Sequence, residues 1–275
     1  MGETCVPIKP QRVITLSVLG HVLPLDVKPV GAVEWGSEVG QFPDYFQPHT
    51  DGIVYLGQGG QPNLERIAQL KPDLILGTEA DREIYQYLSQ IAPTVLIAGQ
   101  STGTWKEQLH QVGMALGKTE QVDQVLADYQ QQVEWLQQQL GSERLASLVV
   151  SFVRIDPSQI QLPQQQLFAS TILQDVGLSR PSNQNEEGFY ESVSFEKLPE
   201  IDGDVILVMA GWQDSDRANP VQHLANNPLW LQLNAVQKGQ VYVVPDYWIS
   251  GDIIAAYRVL TDLSQYLLSA KFESN

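Results

Sequence analysis

Large aromatic and guanidinium side chains recur in this chain at one kind of place, directly after or at the end of a short apolar run. Glu34-Trp35 follows Val30–Val33, and Thr78-Glu79-Ala80-Asp81-Arg82 follows Asp73–Gly77. Arg154 ends the run Ser147–Arg154, Gly211-Trp212 follows Asp204–Ala210, and Pro245-Asp246-Tyr247-Trp248 follows Val241–Val244. Three indoles, one phenol and two guanidinium groups suit the wall of a site for a bulky chelate. Aromatic faces lie against its organic arms, and guanidinium forks pair with carboxylate or hydroxamate oxygens. Each residue also has a plainer use. Trp35 and Tyr247 serve equally well to pack their own loops, and Arg82 and Arg154 to sit in solvent, whereas position favours ligand contact for Trp212 and Trp248.

Other chemistries find less support. The run Gly57-Gln58-Gly59-Gly60 precedes a helical pattern beginning near Asn63, but GxxxxGK[ST] is absent and Gln61-Pro62 breaks GxGxxG, so a tight turn is the better reading than a phosphate cradle. His21, His49, His110 and His223 lie far apart with no HExxH or CxxC spacing. Capture of a bare metal ion therefore requires His21 and His49 to meet in the fold. With 32 acidic residues, carboxylate pairs arise by chance, and no nucleophile–base pair stands out. A net charge of −16 repels nucleic acid and anionic membrane surfaces. A single cysteine cannot form an internal disulfide, and a buried or tolerated thiol is the default for Cys5. Met1-Gly2 reads as the start of a truncated chain, which places any export signal outside it and leaves lipid attachment at Cys5 as the minor alternative.

The elements that must position these residues follow from the spacing of apolar positions. Runs of four to eight apolar, β-branched residues at 12–17, 30–33, 73–77, 94–98, 147–154, 204–210 and 241–244 suit strands buried on both faces. Their alternation with helical patterns implies parallel sheets, hence an α/β chain, with ligands beyond the carboxyl ends of the strands. One segment differs. Thr119–Leu140 has neither Gly nor Pro, and Val122, Val125, Leu126, Tyr129, Val133, Leu136 and Leu140 recur near a 3.6-residue period. Thr119 is the expected cap and Gly141 the expected stop. At 1.5 Å per residue the helix is a rod of roughly 33 Å. It is expected to join two three-layer lobes with mostly parallel sheets, at 1–118 and 143–275, with 119–142 as a connector that permits only modest rocking.

Several stretches together resemble the helical-backbone (class III) periplasmic binding proteins of iron-siderophore and vitamin B12 importers. In the first lobe these are Pro10–Leu16, Pro29-Val30-Gly31, Asn63–Leu76, Ile91–Val95 and Leu116-Gly117-Lys118; in the second, Val193–Leu198, Asp204–Leu207, Asn227–Trp230 and Leu233–Tyr242. The ferric citrate and ferric hydroxamate binders look most similar. Their pocket tryptophans fall on loops matching Trp212 and Trp248. The resemblance implies an extracytoplasmic, monomeric binding protein of an ABC transporter that captures a ferric siderophore in the interlobe cleft. The iron is then held by the chelator, with no protein metal ligand and no cofactor. It also implies docking on a permease through one acid per lobe, for which Glu83 stands in the first lobe and Asp216 and Glu196 compete in the second. Where relatives commonly carry a clamping arginine, this chain has Gly59 or Gly60, which favours a hydroxamate or citrate–hydroxamate chelate over ferric dicitrate. Vitamin B12 or haem is the alternative cargo. A two-lobed α/β enzyme is the alternative class, although a glycosyl-transferase donor signature is absent and one Cys is too few for a cluster protein.

Overall fold

A computed structural model of the chain describes residues 4–34, 40–99, 102–156, 158–210 and 220–269. The chain forms two compact units. Residues 1–100, 104–128 and 252–255 make the first, and 101–103, 129–251 and 256–275 the second.

The first unit is built on β1 (Val13–Leu16), β2 (Gly31–Glu34), β3 (Val54–Gln58), β4 (Leu74–Thr78) and β5 (Thr94–Ile97), ordered β3-β2-β1-β4-β5. Every pairing is parallel. β1 and β2 are buried along their whole length. On one face Ile14, Leu16, Val33, Leu56 and Ile75 pack with Ile67 and Leu88 from the helices Leu64–Gln69 and Tyr85–Ile91. The other face brings Ala32 against Leu19, Phe46 and Ile53. This two-sided burial explains the unbroken apolar runs. β3 is an edge strand with only Leu56 buried, and its apolar stretch Ile53–Leu56 is not among the runs read above as strands.

The second unit contains β6 (Val150–Asp156), β7 (Gln159–Pro163), β8 (Tyr190–Val193), β9 (Val205–Ala210) and β10 (Val241–Val243), ordered β10-β9-β6-β7-β8. β9 and β10 continue parallel to β6, whereas β7 and β8 are antiparallel neighbours. Neither β7 nor β8 has an apolar run; in β7 the buried Ile160 and Leu162 alternate with half-buried Gln159 and Gln161, and in β8 only Val193 is buried. The fold is α/β with mostly parallel sheets, as expected.

The long helix runs Thr119–Leu140. Val122, Tyr129, Val133, Leu136 and Leu140 are buried, as their period requires. Thr119 is its first residue rather than its cap, because the Val122 N–H already bonds the Lys118 carbonyl at 3.1 Å. Residues 119–128 belong with the first unit and 129–140 with the second. The division has local causes. Val122 lies so close to Gly113 that a Cβ there would sit 2.3 Å from its Cγ2. Tyr129 donates its hydroxyl to Asp175 Oδ2 at 2.7 Å. Burial, reinforced by the Asp175 charge and this bond, raises the Tyr129 pKa.

Residues 252–255 carry an acid into the first unit. Asp252 accepts the Ala255 N–H at 2.9 Å and the Tyr45 hydroxyl at 3.0 Å, across 207 residues of sequence. A Cβ on Gly20 would come within 2.3 Å of its carboxyl carbon. Burial pushes its pKa up from 3.8 to about 6 against the pull of these hydrogen bonds. The folded state therefore binds this proton more tightly than the unfolded one, so the stabilisation is complete below the unfolded value and is lost as pH rises through about 6. Asp252→Asn keeps the capping oxygen and removes the buried charge. It is expected to raise stability at about pH 7.5 by on the order of 1–3 kcal/mol. The gap to the parent should narrow by about 1 kcal/mol at about pH 5. Urea unfolding of both proteins at the two pH values checks this.

Candidate functional site

The chemistry sits where parallel strands end. In the first unit, β4 runs out at Thr78, whose N–H donates to Asp81 Oδ2 at 2.8 Å and whose hydroxyl lies 3.4 Å from the same oxygen, forming a capping box. Asp81 is buried, and desolvation raises its pKa despite both Thr78 bonds. With Asp81 turned inward, Arg82 points outward: its side chain is 62% exposed and pairs with Glu79 at 3.1 Å. Glu83 beside it is exposed. An exposed pair of this kind is worth little to stability, so Arg82 remains available to a ligand at small cost.

β2 ends on Glu34, which is buried, and whose carboxylate accepts the Leu19 N–H at 3.2 Å. The glycine turn joins the same edge. The Gly59 N–H donates to the Glu34 carbonyl at 3.0 Å, and Gly57 adopts φ 124° with Gln61 O so near that a Cβ would stand 2.6 Å from it. The tight-turn reading holds. Trp35 lies outside the described residues.

In the second unit Arg154 is more deeply set than its sequence position implied. It is 5% exposed, its guanidinium stands 5.1 Å from the Tyr190 ring centroid, and Asp156 Oδ2 is 4.0 Å from Nη2. The Arg154 charge and hydrogen bond oppose the rise that burial imposes on the Tyr190 pKa. Two residues, Tyr190 and Asp156, thus join the site without having been read from sequence. Tyr190 opens a strand that has no apolar run, and Asp156 is one acid among 32.

The turn after β10 corrects one expectation. Trp248 is fully buried, its ring centroid 5.5 Å from Phe152, and its Nε1 donates to Asp262 Oδ2 at 2.8 Å. It is a core residue with its polar atom satisfied from within, and it offers no face to a ligand. Tyr247, next to it, is half-buried and donates its hydroxyl to the same oxygen at 2.7 Å. Burial raises its pKa, and the bond to Asp262 adds to the rise. Glu196 is exposed at the start of a 3-10 helix. Trp212 and Asp216 lie outside the described residues.

No group of three His, Cys, Asp or Glu side chains converges among the described residues. His21 is buried in the short helix Leu19–Val22, while His49 is exposed in a turn. Cys5 is exposed, which removes the buried half of its default reading and leaves the tolerated thiol, and no described helix is long and apolar enough to cross a membrane.

Trp248→Ala is expected to cost about 3–5 kcal/mol of stability, the usual loss for a large core aromatic. Denaturant unfolding followed by far-ultraviolet dichroism measures it. A loss under about 1 kcal/mol would contradict the core assignment.

Comparison with known proteins places this geometry in a family. A probable siderophore-binding lipoprotein of Bacillus subtilis (strain 168), YfiY, is 32% identical over 97% of this chain and 85% of its own length. The Fe(3+)-citrate-binding protein YfmC of the same organism is 30% identical over 88% of this chain and 75% of its own. Among solved structures, Staphylococcus aureus SirA complexed with staphyloferrin B superposes with a TM-score of 0.81 at 28% identity, covering 97% of this chain and 96% of that one. The sequence model of the family described as periplasmic binding protein matches residues 16–248. With that match spanning both sheets, the chain belongs to the periplasmic binding protein family.

Proposed function

We propose that this protein is the extracytoplasmic substrate-binding component of an ABC importer, which captures a ferric siderophore and delivers it to the membrane permease. The observation that carries the reading is the likeness, over nearly the whole chain, to Staphylococcus aureus SirA complexed with staphyloferrin B. The relatives named for siderophore and ferric citrate binding support the same cargo class. On this reading the protein acts as a monomer, carries no catalytic step and holds no resident metal. Residues 119–142 serve as the connector between 1–118 and 143–275.

The proposed wall consists of Trp35, Arg82, Arg154, Trp212 and Tyr247, with Tyr190 added by its place under the Arg154 guanidinium. Glu83 in the first lobe and Glu196 or Asp216 in the second are the proposed permease contacts. The supply of positive charge at the described strand ends is small. Arg82 is already paired with Glu79, and Arg154 has Asp156 nearby. Gly59 or Gly60 stands where the resemblance would put a clamping arginine. A strongly anionic chelate would stay undercompensated there, so a hydroxamate or citrate–hydroxamate chelate fits better than ferric dicitrate.

Tryptophan quenching with a panel of ferric hydroxamate, ferric citrate, ferric catecholate, cobalamin and haem checks the cargo. Saturable quenching by ferric hydroxamates at the lowest concentration is expected. Saturation by cobalamin alone, with every ferric chelate silent, would sink the siderophore reading. Arg154→Ala and Trp212→Ala are each expected to weaken chelate binding by about 1–3 kcal/mol. Unchanged affinity in both removes the proposed wall.

A further inference from the structure

Asp262 belongs to the helix Ile253–Ser269, and one of its carboxylate oxygens takes two hydrogen bonds from consecutive residues of another element. The Tyr247 hydroxyl lies 2.7 Å and Trp248 Nε1 2.8 Å from Oδ2. Neighbouring side chains on a short turn ordinarily diverge; here both return to one atom. Trp248 anchors the turn from below, against Phe152. Within the turn Asp246–Ile249 the backbone contributes local bonds, from the Trp248 N–H to the Pro245 carbonyl and from the Ser250 N–H to the Tyr247 carbonyl, each 3.1 Å. One helical turn beyond Asp262, Tyr266 stacks on Tyr242 of β10 with centroids 4.5 Å apart and planes 18° from parallel. The same helix thus grips both the strand and the turn that leaves its carboxyl end.

We infer that Asp262 is a positioning residue, which holds the turn 245–249 in its cargo-ready form and strengthens chelate binding without touching the chelate. The inference rests on the proposed function, in which Tyr247 borders the cargo. A turn of this length has no ladder of its own, and Asp262 replaces one. If the clasp is removed, the turn must be ordered at the moment of binding, and the cost appears as lost affinity and faster release.

The test uses the full chain with Asp262→Ala, Asp262→Asn, Tyr247→Phe and the double variant Tyr247→Phe/Asp262→Ala. Amide hydrogen exchange across 246–250 in the absence of cargo is expected to speed up about tenfold or more in Asp262→Ala. Calorimetric titration with a ferric trihydroxamate is expected to show binding about 5–20-fold weaker, and stopped-flow fluorescence to show the loss in the dissociation rate. Asp262→Asn, which keeps one acceptor oxygen, should recover most of both effects, and should the alanine variant fail to fold, Tyr247→Phe, which removes one of the two bonds, is read by the same exchange measurement. Tyr247→Phe and Asp262→Ala should be non-additive, because they break the same bond. A merely structural role lowers the melting temperature and leaves the affinity of the folded protein unchanged; that result, or unchanged exchange at 246–250, overturns the inference. If the parent protein binds no ferric chelate, the function proposed above fails, and the exchange measurement still decides separately whether Asp262 holds the turn.

Discussion

A parallel strand covered on both faces commits nearly all its side chains to packing, and the rest of this structure follows from that constraint. β1 and β2 are buried from end to end, and β6 is buried up to Asp156. Polar chemistry is then confined to the points where strands stop. Each exit meets the same physical problem, since a chain leaving a buried sheet exposes backbone donors that need partners. Here acids supply them. Asp81 takes up the Thr78 N–H, and Glu34 that of Leu19. These carboxylates shape the exits and leave the cations and aromatics for other work.

Arg154 tests the constraint, because it lies on a strand with 5% of its surface exposed. Burying a guanidinium is costly unless its charge and donors are met. The Tyr190 ring beneath it and Asp156 beside it meet part of that demand from the antiparallel side of the sheet. Lobe 2 gains this arrangement because β7 and β8 turn back beside β6 instead of continuing the parallel series.

Two other acids act from the helix Ile253–Ser269 and its start. Asp252 is enclosed and caps the C-terminal helix, with a proton held more tightly than usual. Asp262, ten residues on, takes two side-chain donors at one oxygen. Both tie segments distant in sequence, and neither has a motif, since an acid in a mostly apolar helical stretch looks the same whether it faces solvent or a clasp.

How much could be read in advance divides along physical lines. Period and burial are linked by the geometry of the backbone, so the seven apolar runs and the long helix were legible in the residues themselves. So was the placing of Glu34 and Thr78 at the ends of strands. The antiparallel strands were not, because β7 and β8 place Gln, Glu and Ser between their apolar residues and leave no run, and the short stretch at β3 was passed over although it is apolar. Nor was the direction of a side chain within a turn. Tyr247 and Trp248 are adjacent and chemically alike, yet one is half-buried and the other enclosed against Phe152. Sequence by itself determined seven of the described strands, the long helix, their class and the family, since those depend on local periodicity and on order along the chain. Tertiary structure alone decided which aromatic is core, which arginine is sunk over Tyr190 and which acid holds the turn, because those depend on contacts between residues distant in the chain.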